Sequence, residues 1–442
     1  MHTTSLFVSS ALLLSVSALT SPGQVGGGLT IVSDNDLTSM CAIIAIRRKK
    51  ILIIEIDAPG NSTGAAILID GEFEFAAASA KCSALGETLF PRARLSTLKN
   101  IWSYATHSRK LSSGQQIWIL QNATQPSNGT QSTNSTQAAT CDAVNVNGRI
   151  SRVSCAEKLP IICTQSAPVS TAKTANKADQ FQISQQVGTQ TITGFRDFYS
   201  FRFLGVRYAP QPKRWTYSTV FDGPANQSAL NYGSKCAQPG GVGSEDCLFL
   251  NIFTPFMPTV PTQEELKPVM VWIHGGGFKT ESNQDINHDG TNLASRGDVV
   301  VVQLNYRLGN LGFLTLNNTV TGNYGIQDMI TGLQWVKKYV STFGGDPDKV
   351  TIYGESAGGA GVRALLGSPK ADGLFHNAIM ISSPGGVSGD EPFAQWMSVA
   401  DMHTRVGEKV LEQTGCSKHS DPLGCLQLYD GVKLAGLSAV AT

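Results

Sequence analysis

The pentapeptide Gly354-Glu355-Ser356-Ala357-Gly358 constrains this chain more than any other stretch. A Gly-x-Ser-x-Gly run has one demanding structural use, a sharp turn from a buried strand into a helix that leaves a serine hydroxyl raised for attack. Alone it is a weak signal in a chain with 45 glycines. Its setting strengthens it. Lys349-Val-Thr-Ile-Tyr353 ahead of it has strand character, and Ala357-Gly-Gly-Ala-Gly361 behind it can pack close against a sheet. A serine so placed needs a base, and in this architecture the chain order is Ser, Asp/Glu, His. Only residues 357–442 follow Ser356.

The surrounding sequence reads as α/β. Val269-Met-Val-Trp-Ile273 and Asp298-Val-Val-Val-Val-Gln-Leu304 are continuous apolar runs of the kind buried on both faces. Ile326, Met329, Ile330, Leu333, Val336 and Val340 recur at helical spacing, and Ala378-Ile-Met-Ile-Ser382 predicts a further strand. Strands alternating with helices, without hairpin signals, predict an open, mostly parallel sheet over 181–442. His274-Gly275-Gly276-Gly277-Phe278 closes one of these strands. Its glycines allow unusual φ/ψ and close approach, so backbone N–H groups there can point at a developing oxyanion.

The N-terminal half has a different composition. An apolar run from Leu6 to Leu19, with Val16-Ser17-Ala18 as a small-residue cleavage site, reads as a secretory leader over 1–18. Passage through an oxidising compartment then fits nine cysteines, of which Cys82, Cys141, Cys155 and Cys163 form one group and Cys236, Cys247, Cys416 and Cys425 another, with Cys41 left over. Sequons stand at Asn61, Asn122, Asn128, Asn134, Asn226 and Asn317, each a glycan acceptor in a secreted chain. No later stretch is apolar and long enough to span a bilayer. A net charge of +1 gives no global field for nucleic acid. The reading is soluble and extracellular. Residues 19–70 form a segment apart. Its four consecutive cations, Arg47 to Lys50, mark either an exposed basic turn between strands or a stretch foreign to the fold that also brings in Cys41.

From 71 the pattern sharpens. The stretch from Ala76 reads as a short helix ending at Gly86, and a Trp118-Ile119 strand precedes a Ser/Thr/Asn/Gln loop over 121–140. Cys141, Cys155 and Pro160-Ile-Ile-Cys163 follow. Spacing alone leaves three connectivities for four cysteines. This order resembles a C-type-lectin-like domain over 71–165, small and α+β. The resemblance implies bridges Cys82–Cys163 and Cys141–Cys155 and a glycan or protein ligand. The family's Ca²⁺-dependent sugar site uses a Glu-Pro-Asn or Gln-Pro-Asp tripeptide. Here the loop carries Gln125-Pro126-Ser127, and Asp142 is its only carboxylate before Cys155. A structural or protein-binding module without metal is expected. Residues 166–180 have linker composition.

Beyond the linker, Phe203-Leu-Gly-Val-Arg-Tyr-Ala209, Ser244-Glu-Asp-Cys-Leu-Phe-Leu-Asn251, His274-Gly-Gly-Gly-Phe278 and Asn305-Tyr-Arg-Leu-Gly309 occur in sequence. Gly322-Asn-Tyr-Gly325, Phe343-Gly-Gly-Asp-Pro347 and the Ser356 pentapeptide continue the series. In this order they resemble type-B carboxylesterases, α/β-hydrolases related to fungal lipases and cholinesterases. The resemblance implies Ser356 as nucleophile, an oxyanion hole of Gly276, Gly277 and the Ala357 N–H, and bridges Cys236–Cys247 and Cys416–Cys425. It implies a small-molecule or lipid carboxylic ester as substrate, and no cofactor or metal. The Ser-Glu-Asp-Cys and Asn-Tyr-Arg segments are expected to anchor loops rather than react. The family's acid and His lie beyond residue 442, so the chain reads as the N-terminal part of such a domain, with an uncovered apolar face at the far edge of its sheet. His376, His403 and His419 are the downstream histidines within it. A non-catalytic binding or adhesion protein on the same scaffold is the alternative.

Overall fold

The structure is a computed structural model that describes residues 25, 28–33, 64–107, 111–112, 114–121, 139–145, 147–170, 174–223, 226–259, 266–317, 319–384 and 397–437. The leader, Cys41 and the sequons at Asn61, Asn122, Asn128 and Asn134 lie outside these residues. Among the described residues no helix is long and apolar enough to cross a membrane.

The N-terminal strands are β1 (Leu29–Ser33), β2 (Ala65–Phe73), β3 (Gln116–Trp118), β4 (Thr140–Asn145), β5 (Ile150–Ser154) and β6 (Leu159–Thr164). Helices α1 (Phe75–Ala84) and α2 (Leu98–His107) join β2 to β3. The strands line up as β1-β2-β6-β3-β4-β5, antiparallel except for β3 beside β6. Trp118 and Phe75 meet edge to face at 5.5 Å, and the Trp118 indole N–H donates to Phe73 O. Cys82 of α1 is bridged to Cys163 of β6, and Cys141 to Cys155 beside the β4–β5 ladder. The sheet crosses the boundary drawn at residue 71. Its β1 and β2 come from the segment set apart on sequence, because the continuous runs Leu29–Val32 and Ala65–Ile69 are buried there.

The second sheet holds β7 (Gln182–Val187), β8 (Gln190–Arg196), β9 (Phe201–Arg207), β10 (Gln227–Ser228), β11 (Phe249–Thr254), β13 (Lys267–Ile273), β14 (Val300–Leu304), β17 (Gly345–Glu355) and β18 (Asn377–Ile381). Its order is β10-β8-β9-β11-β14-β13-β17-β18, with β7 on β8. The expectation of a mostly parallel sheet is corrected here, since the sheet is mixed. From β14 to β18 the strands are parallel, while β7, β8, β9 and β11 run antiparallel to one another and to β14, and the two-residue β10 lies parallel to β8. Connection length explains the split. Two residues link β7 to β8 and four link β8 to β9, far short of the dozen or so that a parallel crossover needs. Helices α3 (Thr291–Gly297), α5 (Tyr324–Tyr339) and α6 (Ala357–Leu366) make the crossovers of the parallel half, and α4 (Gly309–Phe313) turns the chain after β14. A hairpin, β15 (Thr315–Leu316) with β16 (Val320–Thr321), and the short helices α7 (Val399–Met402), α8 (Glu408–Thr414), α9 (Pro422–Leu428) and α10 (Gly431–Gly436) complete the chain. Bridges Cys236–Cys247 and Cys416–Cys425 are formed, the first buried beside the site described below.

The two sheets are continuous in structure. Strand β12 (Phe256–Met257), directly after β11, pairs with β1 in the register Leu29↔Met257 and Thr30↔Phe256. One core then runs from Trp118 and Ile161 through Leu29 and Met257 to Phe203 and Phe343. A buried ion pair crosses the same junction. Arg196 Nη1 donates to Glu87 Oε1 at 2.7 Å, with side chains 3% and 2% exposed. Its Nη2 donates to Leu85 O, and Nη1 also to Gln165 Oε1. Glu87 in turn accepts from Thr164 Oγ1 and from both the N–H and hydroxyl of Ser166. Arg196 thus makes three hydrogen bonds and Glu87 accepts four, the dense pairing under which such a charge pair is tolerated in a core. Removing one partner strands the other. Arg196→Met is expected to cost about 3–5 kcal/mol in urea denaturation of the full chain, and adding Glu87→Gln to recover part of that loss. A single variant costing under about 1 kcal/mol, as at an exposed pair, would refute the buried coupling.

Candidate active site

Ser356 joins β17 to α6 at φ 53°, ψ −121°. A non-glycine residue there is strained by on the order of 1–3 kcal/mol, so the surroundings must impose it. They do so by backbone contact. A β-carbon on Gly354 would sit 2.5 Å from the Gly358 carbonyl carbon and 2.8 Å from Ile273 O. One on Gly358 would overlap Ile273 O outright. Three chain segments, the end of β13, the end of β17 and the first turn of α6, therefore touch main chain to main chain, with room for hydrogen only. The Ser356 N–H donates to Ile381 O of β18 at 2.9 Å, and Ser356 O accepts from Ala360 N. These contacts leave the side chain of Ser356 directed away from the sheet core, half-buried.

The glycine loop after β13 lies against this turn. A β-carbon on Gly275 would come within 3.4 Å of Ser356 Cβ and 3.0 Å of both Glu355 O and Glu355 Oε2. Gly276 takes φ +82°, and a side chain there would collide with Thr280 O. Gly276 O accepts from the Lys279 and Thr280 N–H groups and from the Thr280 hydroxyl, which closes the loop into a tight turn. Among the described residues, the N–H groups of Gly276, Gly277 and Ala357 have no protein acceptor. Buried or half-buried main-chain donors are nearly always paired, so the open N–H groups of buried Ala357 and half-buried Gly276, with that of exposed Gly277 next in the loop, mark a place for an external oxygen. The Ala357 N–H also opens α6, where the helix dipole favours negative charge.

Side chains behind the loop hold it. The Tyr306 hydroxyl donates to His274 O at 2.8 Å and to Gly275 O at 3.3 Å, and the His274 ring stacks on Tyr306 at 4.3 Å. Burial pulls His274 down to about 4, so it is neutral at pH 7 and serves as packing. Burial also pushes the Tyr306 phenol up, which keeps it a donor. Arg307 Nε and Nη2 grip Asp328 at 2.7 and 2.8 Å, and Asn305 accepts from Asn283 N while donating to Ser234 O and Cys247 O. In Ser-Glu-Asp-Cys, Glu245 is held by Arg214 and Asp246 by Arg207, each through two hydrogen bonds. All four polar groups tie loops together, at some distance from reacting atoms.

A sequence profile of the carboxylesterase family matches residues 188–437. The chain belongs to the carboxylesterase family. It is 44% identical over 198 residues to the para-nitrobenzyl esterase of Bacillus subtilis, covering 41% of this chain and 40% of that protein. It is 38% identical over 243 residues to the bile salt-activated lipase of Bos taurus, covering 52% and 39%. To the neuroligin-like protein glit-1 of Caenorhabditis elegans it is 36% identical over 247 residues, covering 51% and 31%. The chain thus spans about two fifths of the length of the curated relatives it matches. Among solved structures, the carboxylesterase of Geobacillus stearothermophilus superposes with a TM-score of 0.51 at 33% identity, over 58% of this chain and 53% of that one.

Within this carboxylesterase-family fold, the residues singled out on sequence fall into two sets. Ser356, Gly276, Gly277 and Ala357 come together. The downstream histidines do not join them. His376 Nδ1 accepts from Val350 N on the far side of β17, His403 Nε2 stands 3.9 Å from Glu408, and His419 Nδ1 is taken by Asp421. Asn226 and Asn317 are exposed, and Asn226 Oδ1 accepts from Thr191 N. Two contributors escaped sequence reading. Tyr306 could have been found as the aromatic directly after β14 in Asn-Tyr-Arg. The Ile381 carbonyl had no signal, because any residue provides one. Strain at the elbow gives a test. Ser356→Gly is expected to be more stable than Ser356→Ala by about 1 kcal/mol, since glycine alone relaxes at positive φ. Equal melting of the two variants would remove the strain argument.

Proposed function

We propose that this chain carries the nucleophile and oxyanion half of a secreted serine carboxylesterase. The observation that carries the reading is the glycine loop laid against Ser356 at Gly275, with the N–H groups of Gly276, Gly277 and Ala357 lacking a protein acceptor among the described residues. In this reading Ser356 Oγ attacks the carbonyl carbon of a carboxylic ester and loses its proton to a base. The carbonyl oxygen becomes an oxyanion held by Gly276, Gly277 and Ala357, one such donor being worth about 2.7–4 kcal/mol. Collapse expels the protonated alcohol and leaves an acyl-serine, which water then hydrolyses to the acid. The described residues supply no base to Ser356. The bound substrate would be a small-molecule or lipid ester, as the names of the para-nitrobenzyl esterase and bile salt-activated lipase relatives suggest for those proteins. No cofactor or metal enters the scheme.

The N-terminal unit is, in the same proposal, a C-type-lectin-like module that docks rather than reacts. Two helices, an antiparallel ladder and the bridges Cys82–Cys163 and Cys141–Cys155 support it. A Ca²⁺ role is disfavoured by the donor set. Asp142, on β4, faces Arg152 at 3.8 Å, and no trio of His, Cys, Asp or Glu is gathered among the described residues. A glycan or protein surface is the remaining class of ligand. Secretion and glycosylation at Asn226 and Asn317 accord with four formed disulfides.

A second reading has its own observation. Ser356 lacks a histidine partner among the described residues, and a neuroligin-like protein stands among the relatives. A binding protein on the same scaffold would look so. Active-site titration of the native secreted protein with a fluorophosphonate separates the two. Stoichiometric phosphonylation of Ser356, abolished in Ser356→Ala, is expected for the esterase. An unlabelled Ser356 in folded protein would sink the esterase reading and leave the binding one.

A further inference from the structure

The turn that follows the candidate oxyanion glycines is bracketed by two strained residues, Phe278 at φ 58° and Glu281 at φ 73°. Non-glycine backbone in the left-handed region persists only where its surroundings impose it. Between the two, Gly276 O accepts from Lys279 N and Thr280 N, each at 3.0 Å, so a change at either residue is felt at Gly276 and Gly277. Each strained residue is held at its carbonyl. Phe278 O accepts from Gly309 N at 2.7 Å, a main-chain bond that needs no particular side chain. Glu281 O accepts instead from a side chain far back in sequence, Gln238 Nε2, at 3.0 Å. The ring of Phe278 also packs on Phe313 at 5.1 Å, whereas the Glu281 side chain is exposed. Gln238 is therefore the specific support of the outgoing limb.

Gln238 is itself firmly placed. It is 8% exposed, its N–H donates to Val242 O at 3.0 Å, and Nε2 also donates to Cys236 O at 3.0 Å. Ala237 N and Ser244 N extend this ladder to Ser244 O and Lys235 O, and the Cys236–Cys247 bridge closes the ring at its base. The other end of the ring reaches the same limb. Asn305 donates to Cys247 O at 3.3 Å and accepts from Asn283 N at 2.9 Å, while Asn283 donates to Phe249 O and Gln303 O. We propose that Gln238 is a positioning residue for the oxyanion donors. By holding Glu281 O it keeps Glu281 left-handed and stops the Gly276–Thr280 turn from relaxing away from Ser356. Without that bond Glu281 returns to negative φ, its carbonyl swings, and the Gly276 and Gly277 N–H groups lose their aim. Such a loss falls on the reacting step, because donors must be in place where charge develops.

The inference rests on the esterase reading, and the experiment separates their failures. Phosphonylation of Ser356 by a fluorophosphonate is followed against reagent concentration in the native protein and in Gln238→Met, with amide hydrogen exchange over 275–283 measured on the same samples. Methionine keeps the reach of glutamine and removes the donor. The limiting rate should fall about tenfold at an unchanged half-saturating concentration. Exchange at the Lys279 and Thr280 N–H groups should quicken about fivefold. Adding Glu281→Asn should return most of both, because asparagine tolerates positive φ without a clamp. A native limiting rate in Gln238→Met overturns the proposal. So does native exchange, or a loss that Glu281→Asn leaves in place, which would mark general damage rather than positioning. Gln238→Glu takes over where Gln238→Met does not fold, since a carboxylate cannot donate either. If the native protein is unlabelled, the esterase reading is what fails, and exchange alone then decides Gln238.

Discussion

Main-chain contact between β13, β17 and α6 is the constraint from which the rest of the site follows. Gly354 and Gly358 bring three backbones together at Ile273 O, where no side chain would fit. Because the strand and helix approach this closely, the residue between them has no room for a relaxed turn and Ser356 is driven to positive φ. The same approach lays the glycine loop at the end of β13 directly beside the serine. Geometry of the candidate oxyanion site is therefore set by the scaffold rather than by flexible side chains. That suits chemistry in which donors must be in place before charge develops.

The polar groups around this contact act at a second remove. Tyr306 fixes two carbonyls of the loop, so the N–H groups of the same peptides are turned the other way. Arg307 and Asp328 fix the segment that carries Tyr306. The buried pair Arg196–Glu87 and the β1–β12 ladder extend the chain of fixed elements into the N-terminal sheet. A module hung on a flexible linker would have neither a shared core nor a buried ion pair with its neighbour. Here the described residues of the stretch with linker composition, with Ala167 and Ser170 buried, lie between sheets that are already joined.

How much of this could be read in advance depended on whether a feature is written in local pattern. The apolar runs at 269–273 and 298–304 became β13 and β14, and the helical spacing from Ile326 became α5, because burial on both faces or on one stripe leaves a direct trace. The antiparallel half of the sheet left little. Its strands mix Gln, Thr and Ser with apolar residues, since Gln185, Gln190 and Ser184 are buried and hydrogen-bonded, and this hides the alternation. Strands β1 and β2 were illegible for another reason. Each is short or interrupted and gains its place only from long-range pairing. In the site, Ser356 and the glycines were legible because the backbone demands them. The Ile381 carbonyl was not, because any residue supplies one.

The least supported element of the sheet is also attached to its most strained residue. Among the described residues strand β18 has β17 as its one neighbour, and Ile379, Met380 and Ile381 are 45%, 46% and 43% exposed. Edge strands open at lower free energy than central ones, because fewer contacts must break. Yet Ile381 O holds the Ser356 N–H, one of the bonds that keep the elbow against its strain. A hydrogen bond contributes about 1 kcal/mol net, similar to the strain it opposes. Order at β18 and readiness of Ser356 are then one equilibrium seen from two ends. Whatever packs on those exposed isoleucines and methionine would also steady the strained turn at Ser356.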